Sequence, residues 1–83
     1  MTLPLSQMGL HSPAAVRQVG GTRAFRRRLM ELGLVPGTEV VITKVAPMGD
    51  PLEIAVRGGR LSIRQQEASA LMVEVPEDHA QVA

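Results

Sequence analysis

The sequence predicts an all-β, or mainly β, fold: a small barrel of about five strands, with one helix inserted between strands 1 and 2. Apolar residues alternate with polar ones over several short runs, which is the period of a half-buried strand. Glycine and proline turn signals separate those runs. A length of 83 residues suits one domain, and a closed or nearly closed barrel conceals the edges of short strands.

The two ends of the chain are expected to differ in order. Residues 3–9 mix apolar and turn residues and are predicted to be irregular. The first strand is predicted over residues 14–19, and the last over residues 71–75. We expect one domain over residues 1–76 and a frayed tail over residues 77–83.

One helix follows the first strand. Thr22 is a suitable N-cap, and the helix is predicted over residues 23–32. Within it, Phe25, Leu29 and Leu32 follow the i, i+4, i+7 spacing of a single helix face. That spacing predicts one buried stripe, with arginines around the other faces and Glu31 paired to two of them.

Beyond the helix the hydrophobic period changes to two. Gly33 stands where the left-handed residue after a helix belongs, and Pro36-Gly37 predicts a turn. A strand is predicted from Val40, and Val45 indicates either a bulge or a strand covered on both sides. The two prolines of residues 47–51 predict a loop.

The second half of the chain predicts a hairpin. Residues 52–56 alternate cleanly, and Gly58-Gly59 is predicted as the two-residue turn. Leu61 and Ile63 continue the inward face on the return strand. Residues 65–70 are polar and alanine-rich, which indicates a single helical turn.

The net charge of +1 conceals an asymmetry along the chain. Residues 17–28 contain five arginines and no acid, whereas residues 65–83 contain acids and no base. The basic segment suits an acidic partner, and the acidic end can also fold back on it.

Three segments together resemble the FeoA family. Residues 26–40 resemble its RRLxELGLxPGxxV signature, residues 46–54 its APxGDPxE segment, and residues 57–68 its RGxxLSLRxxEA stretch. The resemblance implies an SH3-like barrel and an accessory role in bacterial ferrous iron uptake. The implied partner is FeoB, a membrane transporter with a cytoplasmic G-protein domain. The resemblance also implies an alternative, a regulatory domain like that of metal-dependent repressors. The arginine cluster suggests a further alternative, a nucleic-acid-binding barrel.

The arginine-rich helix has two open interpretations, a solvated face and a protein-docking surface. Docking is favoured where exposed apolar residues border basic ones. Single-stranded nucleic acid is disfavoured, because the chain has one aromatic residue and it lies on the predicted buried stripe. The predicted partner-binding residues are Arg26, Arg27, Arg28, Met30, Leu34 and Met48.

Catalysis and cofactors have no motif in this sequence. The chain lacks cysteine, nucleotide-binding glycine loops and any recognised nucleophile–base arrangement, so we expect no enzyme and no required cofactor. A surface site for an adventitious divalent metal is the most that the sequence suggests. Its candidate ligands are His11, Glu77, Asp78 and His79.

Location is predicted from what the sequence lacks. No apolar run approaches the ~20 residues of a membrane span, and the N-terminus has no signal-peptide pattern. We therefore expect a cytoplasmic protein without direct membrane insertion, recruited to the inner face of the membrane by its partner. Short exposed strand edges would also allow a weak homodimer.

Overall fold

A computed structural model describes residues 1–75. Within them it contains six strands, two α-helices and one 3₁₀ turn. The strands are β1 (Thr2–Pro4), β2 (Ala14–Val19), β3 (Glu39–Val45), β4 (Leu52–Val56), β5 (Gly59–Ile63) and β6 (Leu71–Glu74). The helices are α1 (Arg23–Glu31) and α2 (Gln65–Ala68), and the 3₁₀ turn is Leu5–Gln7.

All six strands form one antiparallel sheet in the order β1-β6-β2-β3-β4-β5. The mainly β prediction is confirmed, with the helix between β2 and β3. The sheet encloses a single apolar core to which every strand except β1 contributes a buried side chain. Within residues 1–75, β1 and β5 form the two edges. The weak homodimer through such edges stays a prediction.

Strand β1 was not predicted, and the expectation of an irregular start is wrong. Thr2 pairs with Glu74 and Pro4 with Met72, so the beginning of the described chain adds a strand beside β6. Three residues are too few for a period of two to be visible in sequence. Pro4 is tolerated because β1 is an edge strand.

Two irregularities adjust the register of the sheet. One lies in β2 between Val16 and Gln18, and the other lies in β3 between Ile42 and Lys44. The bulge predicted at Val45 therefore occurs earlier in its strand. There the Thr43 hydroxyl donates to the backbone carbonyl of Glu53 at 3.2 Å, which ties the irregular segment to β4.

The β4–β5 hairpin is confirmed, but its turn is displaced by one residue. Val56 pairs with Gly59, so the loop residues are Arg57 and Gly58 rather than Gly58-Gly59. Their φ values are 48° and 79°, the left-handed pair that a type I′ hairpin requires. Arg57 thus adopts a left-handed conformation, which is common for glycine and uncommon for other residues.

Helix α1 has the predicted N-cap, since the Thr22 hydroxyl accepts from the Phe25 amide at 3.1 Å. At its other end the Gly33 and Leu34 amides donate back to the carbonyls of Met30 and Leu29, the Schellman pattern. The chain reverses at Gly33, whose φ is +96°. The short α2 confirms the helical turn predicted over residues 65–70.

The Schellman reversal changes which leucines are buried. Leu34 is 1% exposed and joins Leu29 in the core, whereas Leu32 is 48% exposed. The predicted buried stripe is therefore wrong at Leu32 and right at Leu29, and Phe25 is half-buried against the core. The longest helix in residues 1–75 has nine residues, and no helix there is long and apolar enough to cross a membrane.

Candidate docking surface

Helix α1 sits on the barrel by a narrow contact. Of its nine residues only Leu29 is fully buried, with Phe25 half-buried beside it. All the remaining residues of the helix are exposed. A helix that buries so little presents most of its circumference to a partner or to water.

The exposed residues of α1 divide between two sides of the helix. Successive residues advance by about 100°, so Arg23, Arg27 and Met30 follow one another along one face. Arg26 is the i+3 neighbour of Arg23 on that face. We call Arg23, Arg26, Arg27 and Met30 the outer arginine face. Arg28 is turned to a different flank, toward α2.

Arg28 forms the contact between α1 and α2. Its guanidinium lies 3.5 Å from Glu67 Oε2, while Glu67 Oε1 accepts from the Arg64 amide at 2.8 Å. Within residues 1–75, Glu31 forms no ion pair with Arg27 or Arg28. The predicted pairing within the helix is thus wrong, because the tertiary fold brings a different carboxylate to Arg28.

Helix α2 is in turn joined to the β3–β4 loop. The Gln65 amide donates to Asp50 Oδ1 at 2.9 Å, and Gln65 Nε2 donates to the Gly49 carbonyl at 2.8 Å. The loop displays Met48, which is 93% exposed. Arg28, α2 and the Met48 loop therefore form a connected surface, with a shallow depression of about 290 Å³ between Arg28 and Pro51.

Five of the six predicted docking residues are exposed: Arg26, Arg27, Arg28, Met30 and Met48. The sixth, Leu34, belongs to the core and is excluded from the surface. Two exposed residues were missed, Arg23 and Leu32. Arg23 could have been found from sequence, because its i+3 and i+4 neighbours are arginines that the prediction already included.

Of the four predicted metal ligands, the structure describes only His11. His11 is exposed, has a φ of 65°, and donates its amide to the Ile42 carbonyl at 2.8 Å. Residues 1–75 contain no group of three His, Cys, Asp or Glu side chains placed to hold a metal ion. Glu77, Asp78 and His79 lie outside the described residues, so that site stays a prediction.

The carboxylate with a distinctive environment is Glu74, on β6. Its Oε2 accepts from the N-terminal ammonium at 2.6 Å and its Oε1 from the Thr2 hydroxyl at 2.7 Å, with Arg17 at 3.7 Å. These hydrogen bonds, first that of the ammonium, hold the pKa of Glu74 below its ordinary value of 4.5. These contacts hold β1 against β6. They involve no residue of α1.

The FeoA domain family matches residues 3–75, nearly all of the chain. This chain belongs to the FeoA family. The FeoA protein of Chlorobium tepidum has a similar solved structure, with a TM-score of 0.85 and 38% identity, over 88% of this chain and 70% of that one. This FeoA protein is thus similar to the chain both in sequence and in three-dimensional fold.

Two further relatives describe the family setting. The FeoA of Stenotrophomonas maltophilia, an SH3 domain protein solved with zinc, has 38% identity and a TM-score of 0.74, over 89% of each chain. An Fe(2+) transport protein A/Fe(2+) transporter FeoB fusion protein of Porphyromonas gingivalis is 29% identical over 76 residues. This chain spans 9% of that fusion protein, and 92% of the chain is matched.

The fold also occurs in metal-dependent regulators. IdeR of T. acidophilum is 25% identical with a TM-score of 0.79, over 90% of this chain and 34% of that one. A manganese-dependent transcriptional repressor is similar at 10% identity and a TM-score of 0.81, which shows a shared fold alone.

Proposed function

We propose that this FeoA domain is an accessory module of ferrous iron uptake that binds a FeoB-type transporter and promotes its activity. The observation that carries the proposal is the P. gingivalis relative, in which an Fe(2+) transport protein A and an FeoB transporter form one fusion protein. A short covalent link can hold two modules at millimolar effective concentration. A fusion of this kind is therefore expected where the separate proteins act together.

The exposed surface supports binding through protein contact. Arginine is enriched at protein interfaces, and methionine adapts its flexible side chain to a partner's shape. Helix α1 and the β3–β4 loop supply both, in Arg26, Arg27, Met30 and Met48. Binding would act from the cytoplasmic side by stabilising a transport-competent arrangement of the transporter.

A regulatory domain is the second candidate, favoured by the likeness to IdeR. That likeness covers about a third of the regulator, and a domain of this fold is therefore one part of it. The helices within residues 1–75 have nine and four residues, and none of them forms a helix-turn-helix pair. Nucleic-acid binding is further disfavoured because Phe25, the one aromatic residue of the sequence, is half-buried against the core and offers little surface for stacking.

The test combines capture with transport. The intact chain is immobilised and incubated with a detergent-solubilised FeoB-type transporter, and ferrous iron uptake is measured in proteoliposomes with and without the chain. We expect capture and faster uptake. Failure of the intact chain to bind the transporter, at concentrations up to about 100 μM, would remove this function. Capture of a metal-dependent repressor protein instead would favour regulation.

A further inference from the structure

The positive charges of the outer arginine face are electrostatically unfavourable for helix α1. Arg23 and Arg26 lie in the first turn of α1, where the helix dipole is positive and which contains no acid, and Arg27 is the central residue of the helix. Arg23 is also the i+3 and i+4 neighbour of the other two, which places like charges side by side. These arginines therefore oppose the stability of the helix that carries them.

The described part of the chain does not neutralise these charges. Within residues 1–75, Arg17, Arg28 and Arg60 each approach a carboxylate, whereas Arg23, Arg26 and Arg27 form no ion pair and are exposed. An unfavourable charge arrangement that nothing in residues 1–75 compensates is characteristic of a functional surface. An external anion would remove the repulsion.

The kind of anion follows from the side chains. A planar guanidinium matches a carboxylate through two parallel hydrogen bonds, which a lysine cannot do. Arg23 and Arg27 are one helical turn apart, about 6 Å along the axis. Two acids at i and i+4 of a helix, or at i and i+2 of a strand, have nearly the same separation. Met30, 60% exposed, adds an apolar contact at the end of this face.

We propose that the outer arginine face binds an acidic segment of the transporter, with carboxylates spaced by about 6 Å opposite Arg23 and Arg27. This rests on the proposed function and names the chemistry of the contact. A protein segment fits better than an anionic bilayer, because Glu31 adjoins Arg27 and the face offers a single apolar side chain, Met30, where a membrane-bound surface needs a broad apolar area. Arg28 is outside the site, since it is engaged by Glu67.

Affinity for the purified transporter tests the site directly. The variant Arg23→Gln/Arg27→Gln is compared with Arg17→Gln/Arg60→Gln, which removes the same charge from exposed arginines of the sheet. We expect at least tenfold weaker binding for the first and a change within twofold for the second. Equal affinities of the two variants would overturn the proposal and leave transporter binding intact.

The melting temperature provides a second measurement, which distinguishes a binding role of Arg23 from a structural one. Arg23→Glu places an acid at the positive N-terminal end of α1. The new glutamate is also the i neighbour of Arg27 at i+4, which is the favourable order for an ion pair within a helix. We expect the melting temperature to rise by about 2 to 5 °C while transporter binding falls at least tenfold. A fall in both would show that Arg23 supports the fold, and the proposal would be withdrawn.

Two probes separate this inference from the proposed function. One is a helical peptide with glutamates at i and i+4, compared with the same peptide carrying lysines; the other is vesicles of phosphatidylglycerol and phosphatidylcholine. Binding of the acidic peptide, lost in Arg23→Gln/Arg27→Gln, would support the site even if the intact chain failed to bind the transporter. Binding to the vesicles without binding to the acidic peptide would overturn it in favour of a lipid surface.

Discussion

Leu29 fixes helix α1 to the barrel. It is the one fully buried residue of the helix, and the Leu34 amide donates to its carbonyl at 2.9 Å across the Schellman reversal. The buried hydroxyl of Thr38 donates to the Gly33 carbonyl at 3.0 Å and satisfies a further backbone group at the helix end. These few side chains position the outer arginine face, so a change at Leu29 affects a surface that it does not itself contact.

We expect Leu29→Ala to lower the free energy of unfolding by about 3 to 5 kcal/mol, because it leaves a cavity in a tightly packed core. Leu32→Ala is the matched control, since Leu32 is exposed and its loss should change stability by less than about 0.5 kcal/mol. Urea denaturation measures both. Equal effects of the two changes would contradict the burial described for the two leucines.

At the scale of elements, Glu67 joins three parts of the surface. One oxygen of its carboxylate accepts from the Arg64 amide and so caps α2, while the other approaches Arg28 of α1. The same short helix is joined to the β3–β4 loop through Gln65. The relative positions of α1 and the Met48 loop therefore depend on a helix of four residues.

We expect Glu67→Ala to destabilise the protein by about 1 kcal/mol, mainly through loss of the cap. Arg28→Gln removes the ion pair and keeps the cap, and an exposed pair of this kind contributes less than about 0.5 kcal/mol. Hydrogen exchange of the α2 amides should accelerate in Glu67→Ala and hardly change in Arg28→Gln. Equal acceleration in both variants would show that the ion pair, rather than the cap, holds α2 in place.

On the scale of the whole molecule, Glu74 connects the two ends of the described chain. It accepts from the N-terminal ammonium and from Thr2, and the Val75 amide donates to the Met1 carbonyl at 2.8 Å. The sheet order places β6 between β1 and β2, so this contact holds the edge strand β1 against the rest of the sheet. Its strength depends on the Glu74 carboxylate being ionised.

The lowered pKa of Glu74 predicts a loss of stability in acid. Because its pKa is lower in the folded state than in the unfolded state, the contribution is fully present above the ordinary value of 4.5 and is lost as the pH falls through the folded value. We expect Glu74→Gln to flatten the dependence of stability on pH below about 4.5. Glu31→Gln, which removes the charge of an exposed carboxylate on α1, is the control variant.

The sequence by itself determined the features that depend on near neighbours. Thr22 and Gly33 set the ends of α1 because a cap is a contact between residues three to five positions apart. The alternation over residues 52–56 predicted the inward face of β4 for the same reason. The family signature and most of the exposed arginines were also visible there, because they are local patterns.

Only the tertiary structure decided which residues meet across the chain. Strand β1 is too short to carry a period, and β6, which it pairs with, lies at the other end of the described residues. Leu34 is buried because the chain reverses at Gly33, and Arg28 is engaged because α2 brings Glu67 to it. The composition of the docking surface was therefore only partly predictable: its charges are fixed by sequence, but which of them remain free depends on contacts between distant residues.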